Sequence, residues 1–272
     1  MSLAGELSHS EIQRLKGLGF EDWRVDENGV RIYPSKKAEY ISFPKIAYED
    51  THLSRDDFWS RHRVEVLNQA LDKHKVDLIW ELGGGDGRMS IPLWERGKGV
   101  IAIEPHYEGC LKVAEAGIPI FEGTLKDLAI PHNSLHAVGF FDVLEHIEND
   151  SQAIEYMKFF LKPGGTLIIL TPAYPSLLSK LDKALGHFRR YSHKKISDLV
   201  KKQGMSIRRL FHFNSIGVIA WTYGKVLNLR TIPKQEMKLF NKLVPIGKFF
   251  DRMLFQKAGL SIIIIAEKST LN

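Results

Sequence analysis

The spacing of apolar and polar residues predicts a buried strand, a tight turn and a helix near residue 80. The apolar run 78–82 carries one acidic residue, Glu81, and glycine then fills four of the five positions 83–87. Ile91, Leu93 and Trp94 follow at near-helical spacing. Glycine is needed at such a turn because a side chain would block a ligand lying across it. The free N–H groups at the start of the following helix favour the same ligand.

Further apolar runs predict additional elements on both sides of this turn. Residues 1–50 are expected to form a small appendage, in which Asn28-Gly29 is a turn signal between Trp23–Asp26 and Val30–Tyr33. Other predicted strands lie at 100–103, 137–141, 166–172, 205–213 and 260–266, and predicted helices at 54–73 and 193–203.

Arg88 and Glu81 distinguish the glycine turn from a dinucleotide-binding loop. The motif G-x-G-x-x-G would place its third glycine at Arg88 and its acidic residue about twenty positions later. Here Glu81 precedes the glycines, and Glu104 closes the next apolar run, where a carboxylate can hold both hydroxyls of a ribose. This arrangement resembles the nucleotide-binding core of class I S-adenosylmethionine-dependent methyltransferases.

Later motifs occur in the order typical of the same family. They are the loop Gly123-Thr124-Leu125, the segment Asp142-Val143-Leu144-Glu145-His146 and the turn Leu161-Lys162-Pro163-Gly164-Gly165. The resemblance covers roughly residues 55–213 and 259–267. It implies an α/β fold with a doubly wound, mostly parallel, seven-stranded Rossmann-like sheet and one antiparallel strand at the edge. The methyltransferase domain would comprise residues 51–272, with a helical insertion at about 215–257 before the last strand.

The resemblance also implies which residues hold S-adenosylmethionine. Glu104 is expected to bind the ribose and Leu125 to pack beside the adenine. The family often has an acidic residue where this chain has Thr124, which leaves Asp127 or main-chain groups to bind the adenine amino group. The expected cofactor-binding residues are Arg63, Glu81, Gly83, Gly85, Gly87, Glu104, Thr124, Leu125 and Asp142.

Arg63 enters this set through the segment that begins at Phe58-Trp59. The segment resembles one that precedes the glycine motif in a subset of these enzymes. There an arginine pairs with the methionine carboxylate of the cofactor, which suits a bidentate guanidinium. Arg63 is the first candidate and Arg61 the second, and a basic surface helix remains the alternative.

A second segment, from Asp182 to Tyr191, resembles the D-x-x-x-G-H-x-R-R-Y stretch of that subset. It follows the fifth core strand, so it should lie over the transferred methyl group. His187 is the expected catalytic base, with His146 as a second candidate that could equally have a packing role. The residues expected to orient the acceptor are Arg189, Arg190 and Tyr191.

Composition limits the remaining functions. The chain has 272 residues and a net charge of +6, with one cysteine, Cys110, which excludes a disulfide framework or a thiolate zinc site within one chain. No apolar run approaches the roughly 20 residues that a membrane span needs. We therefore expect a cytoplasmic protein. We also expect no metal, since no acidic ligand cluster is evident.

The basic residues are concentrated in one part of the chain. Residues 180–257 carry eighteen Lys and Arg against four acidic residues. With the aromatic residues of the insertion, this pattern suits a lid on an anionic membrane surface. Packing over the sheet or a dimer interface is the alternative, and RNA binding is a third interpretation.

These observations predict an S-adenosylmethionine-dependent methyltransferase. The expected reaction is O-methylation of a small or lipid-linked acceptor. An RNA methyltransferase and a catalytically inactive cofactor-binding scaffold are the alternatives.

Overall fold

The structure is a computed structural model. It describes residues 24–29, 31–32, 58–124, 130–229, 246–247, 249–251, 253 and 256–270. The expected adenine contact Leu125 lies outside these residues, as does Asp127.

Strands and helices alternate through the described part of the chain. The strands are β1 Arg24–Val25, β2 Arg31–Ile32, β3 Leu78–Leu82, β4 Gly99–Glu104, β5 Ile120–Glu122, β6 Leu135–Phe141, β7 Leu161–Pro172, β8 Met205–Phe213 and β9 Ser261–Lys268. The α-helices are α1 Phe58–Lys73, α2 Ser90–Glu95, α3 Tyr107–Glu115, α4 Asp150–Phe160, α5 Lys180–Ala184, α6 His193–Lys202 and α7 Ser215–Val226. Short 3₁₀ helices comprise Leu144–His146 and Pro175–Leu177.

One sheet joins all the described strands in the order β1-β2-β5-β4-β3-β6-β7-β9-β8. Strands β3 to β7 pair in parallel. The strand order switches between β3 and β6, because β4 and β5 lie on one side of β3 whereas β6 and β7 lie on the other. The predicted doubly wound, mostly parallel sheet of seven core strands is confirmed. Beyond it, β1 and β2 extend the sheet at the β5 edge, so the described part has nine strands.

Among the seven core strands, the antiparallel strand is not at the edge, and this expectation is corrected. β9 pairs antiparallel with both β7 and β8, so it lies inside the sheet and β8 forms the edge. The reason is the run Ile262–Ile265, which is buried on both faces of the sheet. A strand that is apolar on both faces gains most from burial when it has neighbours on both sides.

The N-terminal turn is confirmed and docks against α3. Arg24 pairs with Ile32, and Gly29 adopts φ +81° at the turn between the two short strands. The hydroxyl of Tyr107, on α3, donates to Asp26 and accepts from Asn28 Nδ2 at 3.1 Å. This hairpin therefore continues the sheet beside the strand that leads to the Gly123–Thr124 loop.

Apolar side chains cover both faces of the sheet. One layer includes Trp80, Ile101 and Ile103, and the other includes Ile79 and Val100. The carboxyl ends of β3, β4, β6 and β7 consequently meet at one edge of a rigid layer, where the polar residues that follow these strands converge.

Candidate functional site

The glycine turn after β3 has the backbone that its sequence predicts. Gly83, Gly85 and Gly87 have φ of +71°, +53° and +80°, a region that L side chains rarely adopt. A Cβ on Gly83 would lie 2.7 Å from Val143 Cγ2, whereas a Cβ on Gly85 would meet nothing within 4 Å. Gly85 therefore faces open space, and a ligand can lie against its bare backbone.

Glu81 lies buried below this turn and accepts a hydrogen bond from the hydroxyl of Ser90, the first residue of α2. Burial and the charges of Glu104 and Asp142 together raise the pKa of Glu81 to about 8, although the hydrogen bond from Ser90 opposes the shift. Three carboxyl groups from the ends of β3, β4 and β6 thus influence one another across the turn.

Glu104 lies on the other side of the turn, at the end of β4. Its Oε2 accepts from the main-chain N–H of Gly85 at 2.8 Å, and its Oε1 accepts from the N–H of His106 at 2.9 Å. The Glu104 carboxylate also raises the pKa of His106, whose Nδ1 is 2.9 Å from Oε1. Ribose hydroxyls would have to replace some of these contacts, so ribose binding by Glu104 stays a prediction.

Arg63 and Asp142, both predicted to contact the cofactor, meet in the structure. Arg63 Nη2 donates to Asp142 Oδ1 at 2.5 Å and to the Ser261 hydroxyl at 3.3 Å. Asp142 has φ +57°, which turns the chain directly after β6. Arg61 is exposed, so the geometry favours Arg63 over Arg61 as the candidate guanidinium.

The loop after β5 is described only to Thr124. Gly123 N donates to the Glu104 carbonyl at 2.9 Å, which places Thr124 beside the end of β4. Sequence reasoning missed Gly109 on α3, where a Cβ would lie 2.7 Å from the Gly85 carbonyl oxygen. Only glycine allows that helix to approach the turn so closely, and the small residue at 109 was the available signal.

The electrostatics of this crevice select the class of ligand. A dinucleotide would bring an anionic pyrophosphate to the turn beside the Asp142 carboxylate, where like charges repel. A sulfonium nucleoside carries positive charge on sulfur and on its amino group. Its single carboxylate would need a cationic partner, and Arg63 is the guanidinium beside the turn. The residues present therefore fit S-adenosylmethionine.

Asp182, in the segment that follows β7, is hydrogen-bonded to several residues of that segment and to α7. Its Oδ1 accepts from Arg190 Nε at 2.8 Å and lies 3.0 Å from His187 Nδ1. Its Oδ2 accepts from Ser179 N at 2.8 Å and from Trp221 Nε1 at 3.2 Å. The hydrogen bond from His187 and the charge of Arg190 outweigh burial and hold the pKa of Asp182 below its usual range. A buried carboxylate thus orients the His187 ring.

His187 lies against His146, which comes from the 3₁₀ helix after β6. The two ring centroids are 4.6 Å apart with the planes nearly perpendicular. Burial and the nearby His187 lower the pKa of His146 to about 3, so its imidazole is neutral at physiological pH. The structure therefore brings together the two histidines that were predicted to be catalytic, from segments 41 residues apart.

The three residues expected to bind the acceptor have polar partners within the protein. Tyr191 is buried, and its hydroxyl donates to Asp150 Oδ2 at 3.0 Å. Arg190 is also buried and stacks on the Trp221 ring at 4.3 Å. Arg189 Nη1 pairs with Asp150 Oδ2 at 2.8 Å. In this arrangement their polar atoms bind the protein, which favours a role in holding the segment rather than in contacting an acceptor.

Comparison with known proteins agrees with this geometry. Residues 80–169 match a family model described as a methyltransferase domain. Over this range the chain is similar to that family. The matched range runs from β3 to β7 and includes the glycine turn, Glu104 and Asp142. Enzymes of this class take their methyl group from S-adenosylmethionine, which is the cofactor of the domain.

A curated relative supports the same class. The chain is 23% identical over 160 residues to a Mycolicibacterium smegmatis protein named "Probable S-adenosylmethionine-dependent methyltransferase". The match covers 57% of this chain and 62% of that protein, so it spans less than two thirds of the relative.

Solved structures share the fold. A SAM-dependent methyltransferase from Thermotoga maritima superposes with a TM-score of 0.54 at 17% identity, over 77% of this chain and 91% of that one. Phosphoethanolamine N-methyltransferase 2 from Haemonchus contortus, solved with S-adenosylmethionine, gives 0.52 at 13% identity over 85% and 61% of the two chains. At these identities the likeness concerns the fold alone.

The region after β8 presents an apolar surface. Ile219, Tyr223 and Val226 lie on one face of α7 and are 69%, 48% and 73% exposed. Phe249 and Met253 are also largely exposed. Among the described helices, none is long and apolar enough to cross a membrane.

Proposed function

We propose that the protein transfers the methyl group of S-adenosylmethionine to an oxygen of a hydroxyl-bearing acceptor. The observation that carries the proposal is the convergence of Glu81, Glu104 and Asp142 on a glycine turn that also has Arg63 beside it. This arrangement supports a cationic nucleoside with one carboxylate, and the Asp182–His187 pair supports an acceptor that loses a proton.

S-adenosylmethionine supplies an electrophilic methyl group on a sulfonium. The chain contributes alignment, because methyl transfer needs donor and acceptor in line. The backbone around Gly85 and the Glu104 carboxylate are suited to hold the nucleoside, and Arg63 to hold the methionine end. Asp182 orients the His187 ring on the opposite side of the site, where an acceptor hydroxyl would approach.

Calorimetric titration with S-adenosylhomocysteine tests the cofactor assignment. Arg63→Lys should weaken binding at least about tenfold, because a lysine cannot pair in two places with a carboxylate. Arg61→Lys is the matched control on the same helix, and it should bind as the wild type does. Absence of heat for the wild type, or equal affinities for the two variants, would contradict the assignment.

Two other functional classes give different results in the same assays. A dehydrogenase would bind NADH. Under the proposal, titration with NADH should give no heat of binding. An inactive scaffold would bind S-adenosylhomocysteine but transfer no label from the donor to any fraction of a cell extract. Labelled product in which the methyl group is bonded to oxygen, as an ether or an ester, would support O-methylation.

The exposed face of α7 supports an acceptor at a lipid surface. Ile219, Tyr223 and Val226 would enter the interface, and the positive net charge of residues 180–257 in the sequence favours anionic headgroups. Co-sedimentation with vesicles that contain an anionic phospholipid should recover the wild type and lose Val226→Asp. Phe159→Asp, at a 43% exposed apolar residue on α4, is the control that should stay bound. Equal recovery with and without anionic lipid would end this part of the proposal.

A further inference from the structure

Glu145, His146 and His187 converge at the acceptor side of the site. One carboxylate oxygen of Glu145 and one ring nitrogen of each histidine all lie within 4.8 Å of one another. Glu145 and His146 come from the 3₁₀ helix after β6, and His187 from the segment after α5. The main-chain N–H of Phe188 donates to the Glu145 carbonyl at 2.9 Å, which holds the two segments together.

Two imidazoles and one carboxylate are a recognised ligand set for a divalent transition metal. In zinc sites with this set, three protein ligands leave a further position for water or substrate. Tetrahedral coordination places ligand atoms about 3.4 Å apart, so small side-chain rotations would close the present separations.

Each of the three side chains already has a partner that would fix its orientation as a ligand. The Thr171 hydroxyl donates to Glu145 Oε2 at 3.1 Å. The Asp182 carboxylate contacts His187 Nδ1 at 3.0 Å, and His146 hydrogen-bonds to the main chain of Gly186. Outer contacts of this kind, above all carboxylate to histidine, accompany metal-binding histidines in proteins.

The second oxygen of Glu145 provides an independent indication. Glu145 is 0% exposed, and its Oε1 has no hydrogen-bond partner among the described residues. Buried polar atoms in native proteins are nearly always satisfied, and an unsatisfied one commonly marks an ion or water. A cation at the centre of the cluster would satisfy it.

We propose that Glu145, His146 and His187 bind one divalent transition metal ion of the zinc class, which holds the acceptor oxygen. The inference rests on the proposed function, because it deepens the account of the acceptor side. In this arrangement His187 is a ligand rather than a base. The coordinated hydroxyl would release its proton to water. Its oxygen would then form the bond to the methyl carbon as the sulfur–carbon bond breaks, and the bonding pair would stay on sulfur in S-adenosylhomocysteine.

Titration of untagged, chelator-treated full-length protein with Zn²⁺ by calorimetry tests the site, with Co²⁺ absorption as a second readout. We expect one ion per chain, and at least a tenfold loss of affinity in Glu145→Gln and in His187→Gln. His132→Gln is the control, because His132 is an exposed histidine outside the cluster. Thr171→Val removes only the outer hydrogen bond to Glu145, and it should weaken binding about tenfold while keeping the fold.

Several outcomes would overturn the proposal. They are no saturable binding of Zn²⁺ or Co²⁺, affinity that Glu145→Gln and His187→Gln leave unchanged, or an equal loss in His132→Gln. Titration of the same samples with S-adenosylhomocysteine separates this inference from the proposed function. Cofactor binding without ion binding overturns the metal site alone, whereas ion binding without cofactor binding supports the site and overturns the methyltransferase proposal.

Discussion

The buried ion pair of Asp182 and Arg190 offers the sharpest test of how the acceptor side is held. Both side chains are almost fully buried, and Arg190 Nε donates to Asp182 Oδ1 at 2.8 Å. Asp182→Asn keeps the size and several hydrogen bonds of the side chain but removes its charge. The Arg190 guanidinium would then remain buried without its counterion.

The expected loss of folding stability in Asp182→Asn is large for so small a chemical change. Leaving one partner of a buried ion pair uncompensated lowers the free energy of unfolding by about 3–5 kcal/mol. For a chain of this size that corresponds to a melting temperature lower by about 10 °C. The pKa of Asp182 is depressed in the folded state, so its stabilisation exists above the ordinary aspartate pKa and is lost as pH falls below it. The deficit of Asp182→Asn should therefore shrink in acid.

A double-mutant cycle read by urea unfolding measures the coupling. Arg190→Met removes the unpaired charge, so Asp182→Asn with Arg190→Met should be more stable than the sum of the two single effects by about 2 kcal/mol. Asp198→Asn is the control, since its pair with Lys194 is solvent-exposed and should contribute nothing measurable. Additive single effects, or a cost of Asp182→Asn below about 1 kcal/mol, would refute this view of the acceptor side.

Further predictions concern the glycine turn. Glu104→Gln should weaken S-adenosylhomocysteine binding at least about tenfold by calorimetry, whereas Glu115→Gln, at an exposed site on α3, should not. Gly83→Ala should lower the free energy of unfolding by about 1–3 kcal/mol, because φ is +71° and the new methyl group would lie 2.7 Å from Val143 Cγ2. Glu81 has a folded pKa of about 8, above its unfolded value, so it stabilises the protein below pH 4.5 and loses that effect as pH rises to 8. Glu81→Gln should therefore gain stability relative to wild type between those pH values in denaturant titrations, and a constant difference would contradict the buried carboxyl.

The sequence was informative wherever a structural feature depends on residues that are neighbours along the chain. The glycines at 83–87 predicted the turn because its backbone needs positive φ at adjacent positions. The apolar runs predicted the strands, and the acidic residues at their ends predicted which carboxylates would approach the turn. Asn28-Gly29 predicted the N-terminal hairpin for the same local reason.

Contacts between distant segments were less accessible to sequence reasoning. The adjacent residues Arg189, Arg190 and Tyr191 suggested three groups that face an acceptor. In the structure Tyr191 is bound to Asp150 and Arg190 to Asp182, so two of the three are interior. A basic or phenolic residue next to a motif does not reveal which side of the segment is buried.

The sequence by itself determined the order of elements, the glycine turn and the set of carboxylates beside it, because these depend on local backbone preference and hydrophobic period. The tertiary structure alone decided that β9 lies inside the sheet. It also decided that His187 meets Glu145 and His146, although α4, β7 and α5 lie between them along the chain. The physical reason is that burial is shared among many segments at once. Which side chains end up buried together, and with what charge, depends on how all the layers pack rather than on any one stretch of the chain.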